Sequence, residues 1–507
     1  MASFMANTRS RADITPSREE IHELFKQGDL VPVYRKLLAD LETPVSVFMK
    51  LAGQDDISFL LESVEGGEQV GRYSFLGVNP KGMVTFKDNV VTTTLGEDVT
   101  KRELEDGEDP LHALQAEFEK YSPVIIEGLP RLIGGAVGYL NYDIVRYFES
   151  LPDTAKKDLD LPDAAFLLPD TLVIFDHAKH QLIVLANAHN DADNPDKAYN
   201  DAISRIDQIV VALGKPLPPL APIGEPLNEE LQSNMSREKY EENVRAAKEY
   251  IVAGDAFQIV LSQRFTRRTN AQPLMIYRAV RALNPSPYMF FLNFGNDFTL
   301  MGASPEIMVR MEDGIATMRP IAGTRKRGKN EAEDQALEAD LLADPKECAE
   351  HVMLVDLGRN DLGRVSEYGS VHVTDMMYIE RFSHVMHIVS NVEGKVRDNM
   401  NAFDLFRATF PAGTLSGAPK VRAMEIIEEL EGFRRMTYGG AVGYFSFDGS
   451  MDTCITIRAL VMQGDRVYIQ AGAGIVADSD PASEYEETIN KAKALAVAIQ
   501  YAEQGLM

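Results

Sequence analysis

Asp344-Pro-Lys-Glu-Cys-Ala-Glu350 and Asp480-Pro-Ala-Ser-Glu-Tyr-Glu-Glu487 begin alike. In each, Asp stands where an N-cap would and Pro follows at the first helical position. Proline presets φ there, and the N–H it lacks would have had no partner. Both stretches therefore predict helix starts. Glu347 and Glu350, like Glu484 and Glu487, are three residues apart and share one helix face. If the two faces meet, four carboxylates converge. Such a cluster is costly unless a cation holds it, and an all-oxygen donor set suits Mg²⁺. Taken singly, each pair is also what any helix start favours, because acids near an N-terminus complement the macrodipole.

Working outward, the chain has 507 residues, 45% hydrophobic and 25% charged, the composition of an ordinary globular protein. The length corresponds to about three domains. No apolar run approaches the roughly 18 residues of a membrane span. Met1 to Glu20 lacks the apolar segment of a secretory signal. Two cysteines, Cys348 and Cys454, cannot build a disulfide framework, so a reducing cytoplasm is the expectation. A net charge of −26 argues against nucleic acid and anionic membranes as partners. The same charge means that an anionic substrate would need a local cation, arginine or backbone N–H groups.

Three regions are expected. Residues 1–215 mix short alternating runs with turns. Ile57–Leu61 and Met83–Thr94 read as strands and Leu111–Tyr121 as a helix. Residues 216–235 form a connector, with five prolines between Gly214 and Pro226. In residues 236–507, Ser236 caps a helix with the apolar stripe Tyr240, Val244, Ala247 and Ile251, and Gly254 ends it. A strand from Phe257 to Phe265 follows, and strands and helices alternate from there. Gly134-Gly-Ala-Val-Gly-Tyr139 recurs as Gly439-Gly-Ala-Val-Gly-Tyr444. Close backbone packing or an old duplication would each explain the echo.

Other candidates stand singly. Arg319-Pro-Ile-Ala-Gly-Thr-Arg325 reads as a turn leading out of a strand, and its Gly323 and Thr324 could face an anion. Tyr468-Ile-Gln-Ala-Gly-Ala-Gly-Ile-Val476 reads as a strand interrupted by Gly472-Ala473-Gly474, where a ligand could approach the backbone. It is not a dinucleotide fingerprint, and Thr414-Leu-Ser-Gly-Ala-Pro-Lys420 is not a phosphate loop. Arg458 lies in an alternating stretch, Thr453 to Ala459, either as a fork for a carboxylate or as an ordinary strand arginine. Lys491 lies one turn beyond Glu487, either facing a ligand or pairing with that acid. His384 and His387 flank an apolar run, and a buried histidine is often structural. Neither zinc spacing nor a nucleophile elbow occurs.

Together, in order and spacing, several blocks resemble the chorismate-utilising enzymes: Gly302-Ala-Ser-Pro-Glu306, Pro320-Ile-Ala-Gly-Thr-Arg325, Ala349-Glu-His351, Asp356-Leu-Gly-Arg-Asn-Asp361, Gly413-Thr-Leu-Ser-Gly-Ala-Pro-Lys420, Tyr438-Gly-Gly440 and Gly472-Ala-Gly474. The match runs over about residues 235–500. Within that family the chain is similar to anthranilate synthase large subunits, and Leu60-Leu-Glu-Ser63 resembles their tryptophan-binding motif. The resemblance implies an α/β fold with large, mainly antiparallel sheets and interleaved N- and C-terminal parts.

The resemblance also implies roles. Glu350 and Glu487 would ligate Mg²⁺, with Glu347 and Glu484 holding its waters. Tyr438, Arg458, Gly472, Ala473, Gly474 and Lys491 would fix the carboxylates of chorismate, with Gly323 and Thr324 also in contact. Glu306 would be the general acid, His387 the base, and Thr414 would position the ring. Glu62, Ser63, Pro287, Tyr288 and Met289 would line a separate inhibitory tryptophan site. The family branches that use a lysine have it where this chain has Gln258 or Ala322, and both absences favour direct attack by ammonia. Cys348 falls on the expected metal helix and Cys454 in the Arg458 stretch, so a separate glutaminase subunit would supply the ammonia. An aminodeoxychorismate synthase without its lysine, or a tryptophan-binding regulatory relative, is the other reading.

Overall fold

The computed structural model describes residues 14–53, 55–63, 71–190, 194–220, 224, 226, 227, 229–382 and 385–506. Among these residues two large sheets form, of 13 and 12 strands, and every pairing between named strands is antiparallel. Each sheet takes strands from both sides of the proline-rich connector. In the first, Ser58–Glu62 pairs with Tyr288–Asn293. In the second, Gly135–Leu140 pairs with Ala441–Ser446. The sequence regions are therefore interleaved in space. Part of the connector, and His384, lie outside the described residues.

The sheets face each other over a core that includes Phe59, Phe75, Val137, Tyr139, Leu292 and Val442. Helices cover each outer face. Ile206, Tyr277 and Ile499 pack on the first sheet, and Leu111, Leu362 and Phe406 on the second. Each such side chain, fully buried, contributes about 1.5–3 kcal/mol to holding the helices on the sheets. No helix among the described residues is long and apolar enough to cross a membrane.

The glycine echo has a physical reading. Its two copies are neighbouring strands, with Gly138 directly opposite Gly443. A Cβ at Gly138 would lie 2.0 Å from the Ala165 carbonyl oxygen, and one at Gly443 2.1 Å from that of Asp452. The adjoining strands leave room only for hydrogen.

Several local expectations hold with shifted ends, as Ser58–Glu62, Pro110–Phe118 and Gln258–Arg268. Three do not hold. Met83–Thr94 is a hairpin, Gly82–Lys87 and Val90–Leu95, because Asp88 and Asn89 both adopt positive φ, 49° and 65°, as a tight two-residue turn requires. The Arg319–Arg325 block is mostly strand, Ile321–Lys326, with a bulge between Ala322 and Arg325 where Gly323 takes φ 66°. Arg458 is not in a strand. It sits in the link between Met451–Ile455 and Ala459–Gln463 at φ 49°.

Candidate active site

Both Asp-Pro starts are helix N-termini. Asp344 caps Pro345–Gly363, accepting from the N–H groups of Lys346 and Glu347. Asp480 caps Pro481–Glu503, accepting from Ser483 N–H. The two ends border one cleft of about 620 Å³, and Glu347, Glu350, Glu484 and Glu487 all line it. The cleft floor is made by two paired strands, Gln258–Arg268 and Arg466–Ile475. Alternation puts Gln470, Gly472 and Gly474 on the cleft side. Ala473 is the exception among the expected substrate contacts: its side chain is fully buried on the opposite face, packed in a cluster with Tyr240 and Val244.

The glycines are shaped by what stands over them. A Cβ at Gly472 would lie 2.6 Å from the Tyr438 hydroxyl, and one at Gly474 2.8 Å from Gln258 Nε2. The bare backbone leaves the floor open while Tyr438 and Gln258 lean across it. Lys491 Nζ donates to the Gly472 carbonyl at 2.8 Å and pairs with Glu487 at 2.7 Å, the ordinary i,i+4 ion pair, and it lines the cleft. Arg458 also lines the cleft. Left-handed backbone costs a non-glycine residue about 1–2 kcal/mol, and such strain collects at functional sites.

An acid and a base occupy the same cleft. Thr414 Oγ1 donates to Glu306 Oε1 at 2.9 Å. Burial raises the Glu306 carboxyl to about 8, against the lowering influence of Thr414 and of Arg458. Glu306 is therefore largely protonated at neutral pH, the state a general acid needs. His387 has the complementary arrangement. Its Nδ1 lies 2.8 Å from the Gly323 carbonyl and 3.1 Å from Thr324 Oγ1. A carbonyl can only accept, so Nδ1 carries the proton and Nε2 keeps its lone pair. Burial lowers the His387 pKa, favouring the neutral ring. His387 is thus not merely a packed core histidine.

The four glutamates differ in their present partners. Glu347 is paired with Arg325 at 3.3 Å, Glu350 accepts from Gln258 at 3.0 Å, and Glu487 holds Lys491. Burial, and to a lesser degree the neighbouring Glu487, raise the pKa of Glu484. Among the described residues no three His, Cys, Asp or Glu side chains are yet close enough together to hold a metal ion. The donor set is nevertheless all oxygen, on two helix ends bordering one cleft, which fits Mg²⁺. Gln258, Lys346 and Gln470 also line the cleft. None of the three was among the expected contacts. The period-2 pattern that exposes Gly472 and Gly474 also pointed to Gln470; nothing local marks Lys346.

A second, smaller cavity of about 60 Å³ lies elsewhere. Glu62, Ser63, Pro287, Tyr288 and Met289 all line it, with Arg310 and Asp452. The Tyr288 hydroxyl lies 3.1 Å from Asp452 and 3.0 Å from Arg310. Glu62 is buried and accepts from Tyr277 at 2.6 Å and from Arg281 at 3.0 Å. The five residues thus converge from distant segments.

Residues 56–497 match the chorismate binding enzyme family. The chain belongs to that family. It is 46% identical to anthranilate synthase component 1 of Acetivibrio thermocellus, over 96% of this chain and 99% of that one. It is 48% identical to the Synechocystis protein of the same name, again over 96% and 99%. The crystal structure of anthranilate synthase component I from Streptococcus pneumoniae superposes with a TM-score of 0.75 at 38% identity, covering 90% of this chain and 98% of that one. The expected fold, with large antiparallel sheets and interleaved halves, is the one observed.

Proposed function

We propose that this chain is a large, ammonia-using anthranilate synthase subunit that converts chorismate to anthranilate, the first step of tryptophan biosynthesis. The observation that carries the reading is that a buried Glu306, held by Thr414, and His387, held at Nδ1 by the Gly323 carbonyl, line one cleft bordered by four carboxylates. Near-half identity to proteins named anthranilate synthase component 1 supports it.

Arg458, Lys491 and Tyr438, with the bare backbone of Gly472 to Gly474, Ala473 contributing main chain only, bind and orient the carboxylates of chorismate. Gly323 and Thr324 close the side nearest His387. Glu350 and Glu487 would hold Mg²⁺, with Glu347 and Glu484 on its waters. Bound there, the ion neutralises and orients the ring carboxylate. Ammonia adds at C2 while Glu306, held by Thr414, protonates the departing C4 hydroxyl, which leaves as water. His387 Nε2 then takes the C2 proton as the enolpyruvyl group departs as pyruvate, and the ring becomes aromatic. Gln258 and Ala322, both lining the cleft, stand at the two positions where the lysine-using branches of the family carry the lysine that activates water or attacks the ring.

The ammonia comes from a separate glutaminase component. Residues 1–215 contribute Glu62 and Ser63 to the smaller cavity, residues 236–507 complete it, and tryptophan binds and inhibits there. Incubation with chorismate, Mg²⁺ and ammonium tests the reading. Fluorescent anthranilate and pyruvate are expected, and glutamine alone should give neither. A product that retains its pyruvyl ether would favour an aminodeoxychorismate synthase instead.

A further inference from the structure

Two charged features play no part in the chemistry above: Asp356-Leu-Gly-Arg-Asn-Asp361 and the lysine that ends Gly413-Thr-Leu-Ser-Gly-Ala-Pro-Lys420. They meet inside the protein. Lys420 Nζ donates to Asp361 Oδ2 at 2.7 Å and to the Thr409 carbonyl at 2.9 Å. The two side chains are only 12% and 8% exposed. Asp361 lies in the last turn of Pro345–Gly363, and Lys420 is the first residue of Lys420–Glu431. An acid at a helix C-terminus and a cation at a helix N-terminus each oppose the local dipole. Burying the two charges adds a desolvation cost that their attraction offsets poorly. Arg364 and Glu149 are the other charges that act on the pair. Stability alone is a weak reason for such a pair.

Its position suggests another. Thr409 ends the helix Ala402–Thr409, so Lys420 draws together both ends of the segment 410–419. That segment carries Thr414, which holds Glu306. It is seated against the first acidic helix, where a Cβ at Gly413 would lie 1.9 Å from Leu357 Cδ2. It returns as Gly417–Ala418, paired with Ile259 and Gln258 at the cleft floor. A small space of about 30 Å³ is lined by Glu306 and Thr414 together with Leu357, Gly358 and Asp361.

We propose that the buried Asp361–Lys420 pair is a positioning device for the acid: it closes the segment 410–419 at its base and docks it on the helix that carries Glu347 and Glu350, so that Thr414 meets Glu306. Asp361 and Lys420 touch no reactant; they act through Thr414. The proposal rests on the reading of Glu306 as the general acid. A misplacement of about 1 Å in such a group can cost on the order of a hundredfold in rate.

The test is Asp361→Leu/Lys420→Met, which removes both buried charges together, measured in the full chain with chorismate, Mg²⁺ and ammonium. A melting temperature close to wild type is expected, with kcat down about ten- to a hundredfold and the KM for chorismate nearly unchanged. The falling limb of the pH profile should move upward, as in Thr414→Val, because both variants lose the hydrogen bond that lowers the Glu306 pKa. Adding Thr414→Val to the double variant should cost little more, since the groups act as a unit. Wild-type kcat and an unmoved limb in the folded double variant would make the pair merely structural, as would a fully additive loss. If the double variant does not fold, Lys420→Met alone is read by the same criteria. Glu306→Gln run alongside separates the two failures: if it keeps its rate, the assignment of the acid is wrong, whereas if only the pair variants keep theirs, the positioning role is wrong.

Discussion

Replacing Glu306 by Gln tests the acid most directly. The amide keeps the shape and an oxygen that can accept from Thr414 at the observed 2.9 Å, but it has no proton to give. With the carboxyl raised to about 8 by burial, about nine-tenths of it is protonated at pH 7, against roughly three in a thousand at an ordinary carboxylate value. Loss of a general acid costs about 10²–10⁴ in kcat. In the wild type, kcat should rise through the lowered pKa of His387 and fall near pH 8 as Glu306 ionises. In Glu306→Gln the falling limb should vanish while chorismate still binds. Stability gives a second reading. A carboxyl whose folded-state pKa is raised contributes stability that is fully present below its unfolded pKa, near 4, and lost as pH rises through about 8. At pH 7 the difference is roughly 3 kcal/mol at most, because solvent in the cleft screens part of it. Glu306→Gln should therefore raise the melting temperature at pH 8 and not at pH 4. A variant that keeps both its rate and a falling limb near pH 8 would refute the assignment.

Glu350→Gln or Glu487→Gln should abolish Mg²⁺-dependent turnover, and the double substitution should cost little more, because the four acids act together. Retained turnover in both single variants would leave the acids as helix-start residues only. His387→Ala should stall after amination, so mass spectrometry should find an amino-substituted species that still carries its pyruvyl group; unconsumed chorismate would show that His387 acts earlier. Tryptophan should inhibit from outside the cleft, and since the chain has no tryptophan of its own, ligand emission reports binding directly. Met289→Thr should weaken that binding while ammonia-dependent activity persists, and joint loss of both would dismiss a separate site.

How much was legible follows from how local each feature is. Asp344-Pro345 and Asp480-Pro481 set their helix starts through side chain to backbone bonds within three residues, so the sequence carries them fully. Gly472 and Gly474 were legible for the same reason, since alternation along one strand puts them on one face. The positive φ of Arg458 was not, because the strands on either side of it impose it. The Asp88-Asn89 turn was missed because its flanking runs read as continuous strand. The orientation of His387 depends on Gly323, 64 residues away, and no local pattern encodes that bond. The inward side chain of Ala473 follows from the same alternation that exposes its neighbours, and motif matching alone overlooks it.

The charge problem posed by the composition is resolved at the level of single groups. A chain of net charge −26 must hold a substrate that is itself a dianion. The cleft brings cations to the task, in Arg458 and Lys346, but it also brings four glutamates. Glu347 and Glu487 are already offset by Arg325 and Lys491. Burial, with Glu487 beside it, raises the pKa of Glu484 and so favours its neutral form. Glu306 is the decisive case. An ionised carboxylate at its position would repel the substrate and have no proton to donate. Burial favours its neutral form, so in the proposed reaction one physical cause would remove the repulsion and supply the acid.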